Sequence, residues 1–491
     1  MRGDAMAGKS LPEQNSRTAL TLGDGSPARV WPQALAAGVA TLGALSVGTC
    51  LGWMSPALPL LQDKTSHFLV SDEEASWIGS LLTLGAALGA APAGLLAARA
   101  GPRRAVVLLG LPLLASWLLI AFSASVAELY AGRLLGGAAM GALCVAAPMY
   151  VGEMAEARVR GVLGGLFQLQ VTAGILLAYG VGLVGNARTL SLVCAAVPAV
   201  LVAALPWLPE SPVWLLGRGR DAEAARALRW FRGGADPEFE LLRMRATLNT
   251  APSRASAASV DALRRGGLRR ALAPDRAGAR ALLVVLGLMA VQQLSGINAV
   301  IFYLSAIFAN AGSALSPAVA AIVAGVVQVL ATASGAALSD RAGRRPLLLL
   351  SAAVMALCLG TLGCCYQWPH ALPGWLPLLT VALFLVVFSL GFGPVPWLMM
   401  GELLAPEVKA SASALAVTLN WMLAFGVTKT FGPLLRLLGS PGTFFAFSAI
   451  CVAGALFVLL LVPETKGKDP TTIQAELAGR HGRQRVGTKP V

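Results

Sequence analysis

Residues 281–301 read Ala281-Leu-Leu-Val-Val-Leu-Gly-Leu-Met-Ala-Val-Gln292-Gln293-Leu-Ser295-Gly296-Ile-Asn298-Ala-Val-Ile301. No charge interrupts the stretch. At 1.5 Å per residue an α-helix of this length reaches about 31 Å, the thickness of a bilayer's hydrocarbon core. Three amide side chains nevertheless stand inside it, next to a Ser-Gly pair that weakens a helix. The segment reads as a membrane-crossing helix that does more than anchor the chain.

Eleven stretches of the same kind flank it: Ala34–Met54, Ala75–Ala97, Ala105–Ser125, Leu129–Val151, Val162–Val184 and Leu190–Leu208 before, and Ala318–Leu338, Leu347–Tyr366, Leu376–Met400, Ala412–Phe431 and Thr443–Val462 after. Mean hydropathy is +0.70 and only 13% of residues are charged, outside the range of soluble domains. The expectation is an all-α polytopic membrane protein with twelve transmembrane helices in two six-helix halves. Its parts are an N-terminal tail (1–33), a first half (34–208), a helical linker (209–280), a second half (281–462) and a C-terminal tail (463–491).

The net charge of +14 raises the question of nucleic acid, and its distribution answers it. With the N-terminus in the cytoplasm, 33 of the 38 Lys and Arg fall on cytoplasmic segments, 14 of them in 209–280. This is the positive-inside asymmetry, and it puts both termini in the cytoplasm. The remaining five, Lys64, Arg133, Arg188, Lys429 and Arg436, read as outer-loop or helix-end residues. The basic balance is therefore a topology signal, and no nucleic-acid partner is expected. The first thirty residues are polar, so the first span is expected to act as the insertion signal. The seven cysteines have neither metal-ligand nor disulfide-framework spacing, and no catalytic constellation is present. No enzyme activity, cofactor, metal or obligate protein partner is expected.

Charged motifs recur in the two halves. Arg99-Ala-Gly-Pro-Arg103-Arg104 follows the second helix, and Asp340-Arg341-Ala-Gly343-Arg344-Arg345 follows the eighth. Glu153 precedes Arg160 by the same seven residues that separate Glu402 from Lys409. Pro209-Glu210-Ser211-Pro212 closes the sixth helix and Pro463-Glu464-Thr465-Lys466 the twelfth. Three motifs in the same order, each at a helix end, point to a duplicated six-helix unit. The acids and arginines Glu153, Arg160, Arg99, Arg103 and Glu210, and Glu402, Asp340, Arg344, Arg345 and Glu464, are expected to form a lock that pairs when the inner side closes.

Amides inside the membrane serve either as helix glue or as ligands for a neutral polyhydroxylated solute, because each offers both donor and acceptor without charge. An aromatic ring complements the apolar face of a pyranose. The cluster Gln168, Gln292, Gln293, Asn298, Gln328, Trp397 and Asn420 favours the ligand reading. Gln292 and Asn298 are six residues apart and share a face only if the helix breaks, as Ser295-Gly296 allows. Gln292 and Gln293 point about 100° apart, so both reach one ligand only if it lies between them. Gly391, Gly393, Pro394 and Pro396 predict a hinge in the tenth helix, and Tyr303 a gate at the outer end of the seventh.

Gln292-Gln293-Leu-Ser-Gly296-Ile-Asn298, Gly393-Pro394-Val-Pro396-Trp397 and Pro463-Glu464-Thr465-Lys466-Gly467 resemble the sugar porters of the major facilitator superfamily, over roughly residues 30–470. The run from Gly391 to Glu402 and Val427-Thr428-Lys429-Thr430-Phe431 look most like insect-type facilitated trehalose transporters, then the intracellular-type facilitative glucose transporters of animals. The resemblance implies the major facilitator fold. It also implies that Gln168, Gln292, Gln293, Asn298, Trp397 and Asn420 hold or cover a sugar such as trehalose or glucose. Gln328, Ser389 and Ala424 depart from the best-known glucose transporters, which have Asn, an acid and Asn there. Proton-coupled relatives carry an Asp in the first helix where this chain reads Val47, and no acid lies centrally in helices one, five, seven, eight, ten or eleven. The expected activity is facilitative uniport by alternating access, most simply at the plasma membrane. A proton-coupled sugar or polyol symporter is the alternative.

Overall fold

The computed structural model describes residues 29–63, 68–250, 276–310, 315–405, 408–468 and 470–477. Among these residues every regular element is helical. The apolar helices long enough to span a bilayer begin with Trp31–Gln62 (α1), Asp72–Ala100 (α2), Pro102–Ala121 (α3), Val126–Met154 (α4), Arg160–Val184 (α5) and Ala187–Trp207 (α6). Ala277–Phe302 (α7), Pro317–Ala342 (α8), Arg344–Gln367 (α9) and Leu376–Leu403 (α10) follow. The helix Lys409–Leu461 is 53 residues long, and Gly439 inside it turns to φ 68°, ψ 170°. The Phe431 and Phe447 ring centroids lie 6.3 Å apart. The sixteen residues from one to the other would span about 24 Å in an unbroken helix. The chain therefore reverses at Gly439 and forms two spans, α11 (409–438) and α12 (440–461). Twelve spans make this a multi-pass membrane protein.

Apolar length drives these helices into lipid, and hydrogen bonding within each helix satisfies the backbone there. Packing repeats between the halves. α1 lies on α5, α2 and α3 on α4, and α3 on α6. Likewise α7 lies on α11, α8 and α9 on α10, and α9 on α12. The halves meet where α2 faces α11 and α5 faces α8, contacts that again map onto each other by a six-helix shift. Close approach of α2 and α4 depends on small residues: a Cβ at Gly137 would fall on the carbonyl of Leu82.

The even number of spans places both described ends on one side of the bundle, with the linker helices Pro212–Gly217, Asp221–Phe231 and Glu238–Thr250 and the tail helix Pro470–Leu477. This is called the linker side and the opposite one the far side. The linker expected to be helical carries a helix over Asp221–Phe231, and the Asp236 carboxylate accepts from the Glu238 N–H at 3.2 Å to open the next helix.

Candidate functional site

Two broken helices meet at the centre of the second half. In α7 the helix stops at Leu294 and resumes at Ile297, with Gly296 at φ 82°, ψ 11° between them. That left-handed conformation suits glycine, and it swings Asn298 back toward the face of Gln293. In α10 the helix stops at Leu390 and resumes at Val395; between them the Gly393 N–H slips to the Phe388 carbonyl at 2.7 Å, and Pro396 has no N–H to offer the Phe392 carbonyl. Gln292 takes up the slack: its Nε2 donates to the carbonyls of Phe392 at 2.6 Å and Gly393 at 3.0 Å. Ser351 on α9 also accepts from the Phe392 N–H at 3.3 Å.

Four amides form a directed relay. Asn298 Nδ2 donates to Gln293 Oε1 at 2.6 Å, and Gln293 Nε2 donates to Asn420 Oδ1 at 3.1 Å. Asn420 Nδ2 then donates to Gln292 Oε1 at 2.8 Å, and Gln292 donates to the α10 break. Gln292 and Gln293 diverge as adjacent helical residues must, yet both reach Asn420, which lies between their directions and is fully buried. The relay ties the breaks of α7 and α10 to the unbroken middle of α11. A solute hydroxyl, both donor and acceptor, is the chemical group able to insert into it without stranding an amide.

The other predicted ligands make no bond to this relay. Gln168 on α5 is half-buried, and its amide has no hydrogen bond among the described residues. Gln328 on α8 is buried with its Oε1 unpartnered, and the Ser389 hydroxyl on α10 is likewise buried and unpartnered. Trp397, on the resumed part of α10, is half-buried. Ser389 stood in the sequence only as a departure; an orphaned hydroxyl adds it to the candidates. Ala424 is buried on α11, one turn beyond Asn420.

On the far side the two halves are joined. Ser55 and Ser305 share a hydrogen bond of 2.9 Å, Tyr179 donates to the Ile301 carbonyl at 3.0 Å, and Thr83 and Thr428 lie 3.5 Å apart. Phe302 and Tyr303 reach over Gly79 of α2, and Tyr303 leans on Phe431 with centroids 5.0 Å apart. Tyr303 thus sits among the residues that close this side.

On the linker side the repeated motifs assemble within each half. The Glu210 carboxylate accepts from the N–H groups of Arg103 (2.8 Å) and Arg104 (3.3 Å), with the Arg103 guanidinium 3.7 Å away. Glu464 does the same for Arg344 (3.1 Å) and Arg345 (3.0 Å). Each acid thereby caps the N-terminus of α3 or α9, where backbone donors are otherwise unpaired. Gly101 (φ 98°) and Gly343 (φ 91°) precede these helices, and a Cβ on either would press on the capping carboxylate, at 2.6 and 2.9 Å. Burial alone would raise the Glu464 carboxyl, but N–H donors from Lys466, Arg344, Arg345 and Thr465 hold it below the ordinary carboxylate range.

Within the expected lock, Arg344 pairs with Glu402 at 3.2 Å. Glu153 accepts from the Ser211 hydroxyl rather than from an arginine. Arg160 donates to the Ala155 carbonyl, and Arg99 is exposed. Trp214 Nε1 donates to the Ala98 carbonyl at 2.9 Å, at the end of α2 where the repeated motif lacks its acid. The side chain of Asp340 lies outside the described residues. The Arg103–Glu210 and Arg344–Glu402 pairs each stay within one half, while the far side is closed.

A family model described as sugar (and other) transporter matches residues 36–477. The chain belongs to this sugar transporter family. It is 38% identical over 463 residues to the facilitated trehalose transporter Tret1 of Aedes aegypti, covering 93% of this chain and 56% of that one. To Tret1 of Polypedilum vanderplanki it is 36% identical over 463 residues, covering 93% and 90%. The chain spans about half the length of the Aedes aegypti, Anopheles gambiae and Drosophila erecta relatives, at 56%, 57% and 53%. Among solved structures, the inward open conformation of the xylose transporter XylE from E. coli matches with a TM-score of 0.75 at 22% identity, over 91% of this chain and 100% of that one. The fold is that of the major facilitator superfamily. These relatives are named as transporters, and the expectation of no enzyme activity stands with them.

One charge in this sugar transporter family member was misplaced by sequence reading. Arg133 is not at a loop or helix end: it lies in the second turn of α4 and is 1% exposed. Its Nε donates to the Ile78 carbonyl on α2 and its Nη1 to the Cys50 carbonyl on α1, both at 2.9 Å, and its guanidinium lies 5.2 Å from the Trp53 ring. Its place inside an apolar stretch was the available signal, because an intramembrane arginine has a job by default. The α1 residue it meets is a cysteine rather than a carboxylic acid.

Proposed function

We propose that this chain carries an uncharged saccharide, trehalose or a hexose such as glucose, downhill across the membrane by alternating access. The observation that carries the reading is the four-amide relay at the meeting of two broken helices, with polar groups on Gln168, Gln328 and Ser389 left without a hydrogen bond among the described residues. Broken helices are where transporters of this architecture bind, and amides are the side chains that match hydroxyls in a low-dielectric cavity. The names of the trehalose-transporting relatives favour trehalose. Gln168, Gln292, Gln293, Asn298, Gln328, Trp397 and Asn420 are the residues assigned to the substrate. Tyr303 and the Gly393-Pro394-Val-Pro396 break are assigned to gating.

The linker side is the cytoplasmic one in this reading, which the positive-inside asymmetry of its arginines supports. The conformation joined on the far side is then the inward-open one, and the charged clusters, closed now within each half, face one another when the inner side shuts. A plasma membrane location fits this orientation. In this reading transport needs no ion: the acids of the spans lie at their ends, and among the described residues Arg133 meets backbone carbonyls rather than a carboxylate. Reconstitution into liposomes with labelled trehalose, glucose, fructose and inositol tests the reading. Equilibration of at least one saccharide is expected, and a folded protein that passes none of them overturns it.

A further inference from the structure

The run Val427–Phe431 entered only as a mark of resemblance, and Lys429 within it was one of five basic residues left over by the charge asymmetry. In the structure Thr428 and Lys429 of this run reach the other half. Lys429 Nζ donates to Ser76 Oγ at 2.8 Å, stands 3.5 Å from Glu73 Oε1 and lies 4.1 Å from the centroid of the Trp77 ring. Trp77 in turn lies 6.4 Å from the Phe425 ring. Phe425 and Lys429 are one helical turn apart on α11, so the indole of α2 fills the slot between them. The partners are unequal. The Glu73 side chain is 72% exposed and its pairing is screened, whereas that of Lys429 is 21% exposed and faces a ring and a hydroxyl.

All of these contacts bridge α2 and α11, and opening the far side must pull Trp77 out of its slot. The cation then loses the ring and the hydroxyl together. We propose that Lys429 is the latch of the far-side gate, a positioning residue that sets the ratio of inward-open to outward-open protein through Trp77. This rests on the alternating-access reading above. The closed gate is favoured by whatever the latch contributes, and a differential interaction is the only thing that shifts such an equilibrium. A cation over an indole in this setting is worth about a fivefold change in that ratio.

The test reads opening directly and uses no sugar. Thr83 is fully buried between the halves, 3.5 Å from Thr428. A Thr83→Cys variant is labelled from the far side with a membrane-impermeant maleimide, in the full chain and with the seven native cysteines as background. Adding Lys429→Met, which keeps the apolar stem but removes the cation, is expected to raise the labelling rate about fivefold. Lys429→Arg, which restores a cation over the ring, is expected to return it. Trp77→Leu is expected to raise it alone, and combined with Lys429→Met to add nothing further. An unchanged rate in Lys429→Met, or effects of the two substitutions that simply multiply, overturns the latch. If Lys429→Met does not fold, Trp77→Leu decides: a rate equal to that of the parent overturns it. Absence of saccharide flux from the unaltered protein bears instead on the transport reading and leaves this measurement intact.

Discussion

Asn420→Ala separates the two things an intramembrane amide can do. The side chain accepts from Gln293 at 3.1 Å and donates to Gln292 at 2.8 Å, and it is fully buried. As glue, two such bonds at roughly 0.6 kcal/mol each give about 1.2 kcal/mol of stability. As an organiser of the binding site its loss does more. Gln292 and Gln293 lose the residue that holds both toward one point, and each hydroxyl contact that depended on that geometry is worth about 1 kcal/mol. Two such contacts put the loss of saccharide affinity near 2 kcal/mol, roughly thirtyfold in Kd. The assay is saccharide binding by calorimetry on purified protein, alongside its thermal unfolding in detergent without saccharide. A modest drop in thermal stability with a Kd raised at least tenfold is expected. A variant that loses stability but binds sugar as before would refute the reasoning and return the relay to helix glue.

Gly101→Ala and Gly343→Ala each force a side chain into a left-handed region and against a capping carboxylate. Each is expected to cost about 1–3 kcal/mol, read as a lowered detergent Tm, and unchanged Tm values count against the cap geometry. The Glu464 carboxyl is held low in the folded protein, so its stabilisation is present above the ordinary carboxylate range and lost as pH falls through the depressed value. Tm is expected to be flat near neutral pH and to fall in acid, and Glu464→Gln should flatten that fall; an identical acid profile in the variant contradicts the assignment. Ala424 leaves room where an Asn side chain would stand one turn from Asn420, so Ala424→Asn should slow a disaccharide more than a hexose, a selectivity ratio measured in liposomes; equal slowing of both argues against that room being used by the substrate. Arg133→Lys has one ammonium where a guanidinium spans the carbonyls of α1 and α2, and should lower Tm without creating pH-dependent transport.

Much of the fold was legible because the bilayer imposes a length and a hydropathy that few other sequences satisfy. The α7 break was legible too, since only a distortion reconciles Gln292 with Asn298 six residues on. Span ends were less so: hydropathy marks the hydrocarbon, while helices continue past it. α1 thus runs to Gln62 through Pro59, and the turn between the last two spans shrinks to Gly439. The site was legible as a set of residue types and not as a set of bonds. Nothing local says that Gln293 and Gln292 share Asn420, because that contact joins residues more than 120 positions apart. Arg133 was missed because a count of charges by side treats a buried arginine as an exception to topology, when its acceptors are backbone carbonyls that carry no sequence signature. Lys429 was counted among the same exceptions for the same reason: Trp77 and Ser76 lie in the other half.

The central claim is an uncharged, amide-lined chamber that moves saccharide downhill with no coupled ion. Its most direct test is the steady-state level of labelled trehalose and glucose inside proteoliposomes with an inward proton gradient and without one. The account predicts that internal saccharide rises to the external concentration and stops there, with or without the gradient. Accumulation above the external concentration that collapses with a protonophore would contradict it.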